Sequence, residues 1–192
     1  IPYMALLFFT GSRPFDVGDT KNAARRWDWS WFNGWKHFSS VSNGYIATLP
    51  PWNVDGTKAS SKKTQVSQDR DLTPNGYEWI RWYFGTQNQT VPNAGKVEFS
   101  RAHWNNLRKE LGLYGAQWEQ DITRRTFATY AHCHWANQSE HWCEHIGHDH
   151  KTYRRYYKGK STSLDAAEFF DISPQNINLE SVSTNFITAT KQ

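Results

Sequence analysis

The chain has 192 residues, a formal net charge of +4 and two cysteines, Cys133 and Cys143. That length allows one domain with a full hydrophobic core, and two cysteines cannot build a disulfide framework, so a reduced, cytoplasmic protein is expected. The apolar run from Ile1 to Phe9 is too short to span a bilayer and lacks the flanks of a signal peptide, so no membrane partner is expected; it opens without methionine, which suggests a piece of a longer protein.

In chain order, residues 1–10 read as the end of an apolar helix stopped near Gly11. Residues 14–23 read as a short second helix with Pro14 in its first turn. From Trp27 to Leu72 aromatics alternate with polar residues, and turn signals recur at "FNG", "SNG" and "VDG". This predicts a small antiparallel sheet with one long polar loop, "DGTKASSKKTQVSQD". Helices then return. Thr73 is placed to cap a helix from Pro74 to about Phe84, and Ser100 another, "RAHWNNLRKEL", ended by Gly112. Further helices are expected over 122–135, 139–145 and 153–157. Thr162 and Asp165 form a capping box for the last one, "SLDAAEFF". The expected class is α+β: a mostly helical domain over residues 1–174 with a small inserted antiparallel sheet, then a polar tail over 175–192. The eleven tryptophans are expected mainly in the core.

Basic residues come in pairs: Arg25-Arg26, Lys62-Lys63, Arg124-Arg125 and Arg154-Arg155. Such pairs suit a polyanion partner without proving one. The stretch "HIGHDHKTYRRYYKGK" raises three chemistries: metal binding, anion binding, and a tyrosine used as a reagent. Six of the eight histidines lie between 132 and 150 (His132, His134, His141, His145, His148, His150), beside both cysteines. His141 and His145 have the i, i+4 spacing of two ligands on one helical face. The spacing matches no paired C-x2-C pattern, and "HWCEH" misplaces the glutamate of H-E-x-x-H. Packed or surface histidines are the better reading, and neither metal nor cofactor is expected.

Phosphodiester cleavage without metal needs fixed cations at the non-bridging oxygens, an in-line hydroxyl nucleophile, and an acid for the leaving oxygen. The chain offers such a set. Arg13 follows "FFTGS" at a helix end. Arg124 opens "RRTFATYAH", where the helix N-terminus also favours an anion. Lys62 and Lys63 lie in the long loop, His148 follows a glycine, and Tyr157 stands nine residues further on. The plainer roles are an Arg13 that caps the preceding helix or pairs with Asp16, a solvated Arg124, a structural His148 and a Tyr157 in the core or on the surface.

These residues fall in recognisable boxes. "LLFFTGSRPFD" resembles the first arginine box of the tyrosine recombinases, the phage-type integrases: T-G-x-R followed by an acid, here Asp16. "DITRRTFATYA" resembles their second box, H-x-x-R-x-T-F-A-T. "HIGHDHKTYRRYY" resembles the third, which ends in the nucleophilic tyrosine, and "KKTQVSQDRDLTP" resembles the lysine hairpin. The resemblance covers about residues 1–172, with four boxes in the family's order. It implies a recombinase catalytic-domain fold, of prokaryotic or phage origin, that lacks the N-terminal DNA-binding domain. Arg13 and Arg124 would hold the phosphate, and Lys63 would protonate the leaving 5′-oxygen, with Lys62 and Lys58 as alternatives. His148 would hydrogen-bond the phosphate, and Tyr157 would attack it, with Tyr156 adjacent and Tyr153 near. Lys62, Arg125 and Arg154 would contact DNA. The partner would be double-stranded DNA, with self-assembly into dimers or tetramers on it, and Phe169 and Phe170 would suit docking on a neighbouring protomer. Where the family carries histidine this chain has Asp121. An ionised aspartate cannot donate to phosphate; its open roles are a base near the tyrosine hydroxyl or a partner of an arginine, and in the free protein it is expected to pair with Arg124. Two other classes follow from this reading: a DNA-binding module that lost the chemistry, and a zinc-dependent nuclease built on the histidine cluster.

Overall fold

The computed structural model describes residues 1–12, 17, 27–32, 37–38, 44–49, 68–113, 121–135, 143, 146, 150–156 and 159–177. Helix α1, Pro2–Thr10, carries its proline in the first turn and ends at Gly11 in the left-handed region, φ 63°. Its sequence is apolar on every side, so no single face can be given to solvent. Accordingly Tyr3, Ala5, Leu6, Leu7 and Phe9 are all buried, and the helix runs through the main core.

Three short strands follow, β1 His37–Phe38, β2 Gly44–Leu49 and β3 Gln68–Leu72. They pair antiparallel in the order β1-β2-β3, with His37 opposite Tyr45 and Tyr45 opposite Leu72. Leu72 leaves the end of β3 fully buried beneath α1. Before the strands, Trp27, Trp29 and Phe32 form an aromatic cluster, with Trp27 and Phe32 at 5.1 Å. The Lys96 ammonium lies 3.2 Å from the Asp28 carboxylate and 5.1 Å from the centre of the Trp31 ring.

Helix α2, Pro74–Gly85, crosses α1 at Gly76, where a Cβ would come within 2.5 Å of Phe9 Cβ and 2.7 Å of Leu72 Cδ1. Only a bare backbone permits that approach. Thr73 stands at the N-cap position, but its side chain caps nothing. Its hydroxyl goes instead to Asn75 Oδ1 at 2.6 Å, which turns the Asn75 amide toward the carbonyls of Phe169 and Ile172, both at 3.2 Å. The expected cap residue thus orients Asn75, whose amide links the start of α2 to the far end of the chain. Helix α3, Arg101–Glu110, does start on a Ser100 cap, with the hydroxyl accepting from the His103 amide at 3.3 Å.

Helix α4, Ile122–His134, buries Thr123, Arg124, Phe127, Ala128 and Ala131 on one face. Helix α5, His150–Tyr156, sets Tyr153 against that face, and with Cys143 and Ile146 these residues form a second core. Helix α6, Ser163–Asp171, has the full capping box of Thr162 and Asp165. Its two phenylalanines join the cores. Phe169 stacks on Tyr130 at 4.6 Å and meets Phe9 at 5.4 Å, while Phe170 lies 4.5 Å from Trp135 and 6.3 Å from Phe127. Both rings, expected to suit docking on a neighbouring protomer, pack within the chain itself. They are the seam of the chain's own core, and removing such a ring costs about 3–5 kcal/mol. Among the described residues the fold is mostly helical, and no helix is long and apolar enough to cross a membrane.

Candidate active site

Arg124 is the third residue of α4 and only 1% exposed. Its Nη1 donates to the carbonyl of Gly11 at 3.1 Å, and its Nη2 donates to the carbonyl of Ile146. A guanidinium presents its donors in a fixed planar fork and is weakly hydrated, so it is the cation best able to sit buried between two carbonyls. The expected partner, Asp121, is not used. Among the described residues ion pairs join Arg81 to Glu78 and Lys96 to Asp28, not Arg124 to Asp121. Asp121 sits at the N-cap of α4 with φ 60°, in the left-handed region, and its side chain makes no capping bond. This backbone turn explains the missing pair, since it replaces the extended geometry of an ordinary cap.

The Gly11 turn is shaped for this contact. The Thr10 hydroxyl donates to the Leu6 carbonyl at 2.6 Å, the Thr10 and Ser12 hydroxyls share a 2.7 Å hydrogen bond, and the Ser12 amide donates to Thr10 Oγ1 at 3.2 Å. Phe127, one helical turn after Arg124, packs beneath Gly11. A Cβ there would lie 2.6 Å from Phe127 Cδ1 and 3.1 Å from Ile146 Cγ2. Gly11 is thus fixed twice, by its positive φ and by the lack of room. Three residues far apart in sequence, Gly11 ending α1, Arg124 opening α4 and Ile146, meet at one buried point.

A second anchor lies further along α4. The Gly159 amide donates to Thr129 Oγ1 at 3.1 Å, and a Cβ at Gly159 would come within 2.6 Å of that oxygen. The chain leaving α5 is therefore held against α4. Cys133 adds a thiol donor to the Ser161 carbonyl at 3.3 Å.

Tyr153 is settled as a structural tyrosine. Its hydroxyl donates to the Ala128 carbonyl at 3.2 Å, and burial pushes its phenol well above the ordinary tyrosine range. A phenol that hard to ionise, and already bonded to backbone, is poorly suited to attack. Arg125 and Arg154, two of the candidate DNA contacts, are both exposed. Arg13, Lys58, Lys62, Lys63, His148 and Tyr157 lie outside the described residues, as do Asp16, His141, His145 and the helices expected over 14–23 and 139–145 save Val17 and Cys143.

Among the described residues no three His, Cys, Asp or Glu side chains gather as metal ligands. His134 instead packs edge-on to Trp135 at 4.5 Å and against Phe170 at 4.8 Å, and burial lowers its pKa. His132 lies 5.4 Å from the Tyr153 ring.

Two site features escaped the sequence reading: the buried state of Arg124 and the Gly159–Thr129 anchor. The first left no local signal, because an arginine at a helix start reads as solvated. The second left a faint one, a glycine two residues past a tyrosine-rich helix. Compared with known proteins, the chain matches no family model, no curated relative and no solved structure.

Proposed function

We propose that this chain cleaves and rejoins double-stranded DNA through a 3′-phosphotyrosyl intermediate, as the catalytic domain of a site-specific recombinase of the tyrosine class, on a fold of that class. The observation that carries the reading is the pair of bonds from Arg124 to the carbonyls of Gly11 and Ile146. It ties together the three segments whose sequences resemble the arginine boxes and the histidine–tyrosine box. Arg13 stands two positions after Gly11, His148 two after Ile146, and Tyr157 two before Gly159.

In this reading Tyr157 Oη attacks the scissile phosphorus and its proton passes to solvent. The phosphorus–O5′ bond breaks, and Lys63 gives a proton to the leaving 5′-oxygen. Arg13 neutralises the non-bridging oxygens, and His148 donates a hydrogen bond to them. Charge developing on phosphate is met by donors fixed beforehand, which is the largest contribution such a site can make. The phosphotyrosyl ester keeps the bond energy, so religation by a 5′-hydroxyl reverses the step. Exposed Arg125 and Arg154, with Lys62, contact the DNA backbone, and copies of the chain assemble on the duplex.

The test uses a pool of nicked duplexes with randomised sequence around the nick, so that cleavage releases a short fragment that diffuses away. A covalent protein–DNA adduct that forms in EDTA is the expected result. Binding without any adduct would make the chain a DNA-binding module, and cleavage abolished by EDTA would make it a metal-dependent nuclease.

A further inference from the structure

We infer that the cavity between the start of α1, the end of α2 and the start of α3 binds a small planar heteroaromatic molecule of the nucleobase class, held by the Tyr3 hydroxyl and the Glu98 carboxylate. The inference does not use the recombinase reading. The cavity also lies away from the Arg124 contact: Tyr3 is eight positions before Gly11, which is about 12 Å along a helix.

The cavity holds about 810 Å³, inside the range of roughly 300–1,000 Å³ usual for ligand sites. Its walls are largely aromatic. Tyr3 stacks on Phe99 with ring centres 4.2 Å apart and meets Trp104 edge-on at 6.3 Å, while Trp29 meets Phe84 edge-on at 5.5 Å. Ring walls suit a flat ligand, because ring–ring contacts add to the gain from buried area.

The polar groups set into these walls narrow the class. Tyr3 is only 7% exposed, yet its hydroxyl makes no hydrogen bond among the described residues. A buried hydroxyl without a partner is costly, so it marks a place where something else bonds. Burial pushes this phenol well above the ordinary tyrosine range, against the opposing charge of Arg108, so the hydroxyl keeps its proton and can donate. Among the described residues Glu98 is the one carboxylate lining the cavity, and it enters no ion pair or hydrogen bond there. The nearby cations are accounted for. Lys96 is held by Asp28 at 3.2 Å, and Arg108 lies over Trp104 and donates to Asn105 at 2.9 Å.

A fitting ligand is therefore flat, carries an acceptor for the phenol, and offers N–H donors to a carboxylate that can only accept. Lys96 and Arg108 balance Asp28 and Glu98, so the ligand needs no net charge. An aminopurine or aminopyrimidine ring meets all of these demands. A hydrocarbon would leave the phenol and the carboxylate without partners, and a phosphate would be repelled by Glu98 and could not use the rings.

The test uses nucleosides without phosphate, so that no anion site can hold them. Guanosine, adenosine and cytidine are each titrated into the whole chain by calorimetry, and amide exchange is followed in peptides covering residues 83–89 and 97–107. At least one nucleoside is expected to bind one to one and to slow exchange in both peptides. Tyr3→Phe keeps the ring on Phe99 and removes only the hydroxyl; it should weaken binding about 3- to 10-fold, the loss of one neutral hydrogen bond. Glu98→Gln should weaken it about 10- to 100-fold, the loss of bonds to a charged acceptor. Both variants should melt as the parent does, since Glu98 is exposed and the Tyr3 hydroxyl has no partner to abandon. If Tyr3→Phe does not fold, Glu98→Gln carries the comparison. Binding by none of the three nucleosides would overturn the inference. So would binding that Glu98→Gln leaves unchanged, or binding that slows exchange only outside the two peptides.

Discussion

The guanidinium of Arg124 donates to the backbone carbonyl of Gly11 at 3.1 Å, across 113 residues of sequence. The contact exists because Gly11 turns left-handed at the end of α1 and brings its carbonyl over the start of α4. An arginine opening a helix reads as solvated. Its burial reverses that expectation, and the turn at Gly11 becomes as important as the arginine.

Gly11→Ala should therefore be strongly destabilising. The added Cβ must adopt φ 63° and displace Phe127. Left-handed strain costs about 1 kcal/mol or more and overpacking about 1–3 kcal/mol. Chemical denaturation should show a loss of roughly 2–4 kcal/mol on those two terms. A loss below about 0.5 kcal/mol, the size of a neutral surface change, would mean that the turn is not held as described.

Asp121 poses the opposite problem, a non-glycine residue at φ 60°. Aspartate, asparagine and histidine tolerate that region, while β-branched residues do not. Asp121→Val should cost about 1–3 kcal/mol, and Asp121→His should fold like the parent. Because histidine also adds a donor near the site, Asp121→His should raise the rate of adduct formation. A slower rate with folding intact would give the aspartate its own role in the chemistry.

The capping box of α6 gives a local test. The Thr162 hydroxyl accepts from the Asp165 amide at 3.1 Å, and the Asp165 carboxylate accepts from the Thr162 amide at 2.8 Å. Thr162→Ala should cost about 1 kcal/mol. Those hydrogen bonds hold the Asp165 carboxyl below its ordinary value of 3.8. A depressed carboxylate contributes its stability above that value and loses it as pH falls through the folded pKa. Melting temperature should therefore drop less between pH 5 and pH 3 in Asp165→Asn than in the parent, as these windows follow from the direction of the shift. Equal acid sensitivity in both would remove the box from the account.

What could be read from sequence divides along the range of the interaction. The Ser100 cap, the Thr162–Asp165 box and the glycine stop after Thr10 are short-range, and each stands where its residues suggested. Thr73 had the right residue for a cap, yet its hydroxyl orients its neighbour Asn75, whose amide makes the long-range bonds to Phe169 and Ile172. Phe169 and Phe170 looked like an exposed docking pair because one short helix cannot reveal what lies against it; Tyr130, Phe9 and Trp135 do. Arg124 was recognisable as important, but its burial depends on Gly11 and Ile146 and on no neighbour in sequence. Tyr153 could not be separated from Tyr157 by composition. The hydroxyl bond to Ala128 separates it by giving it a structural role.

DNA binding should weaken steeply with salt, with each phosphate contact adding about 0.9 to the slope of log affinity against log salt. Arg125 and Arg154 are exposed. Arg125→Ala and Arg154→Ala should each lower that slope by about 1, uniformly across sequences. A slope near zero in the parent protein would remove DNA as the partner.

The most direct measurement is to isolate the covalent adduct formed in EDTA, digest it, and identify the attached residue by mass spectrometry. The account predicts a phosphodiester on Tyr157, with Tyr157→Phe forming no adduct while binding DNA as the parent does. An adduct on any other residue, or none from the parent protein on DNA that it binds, would contradict it.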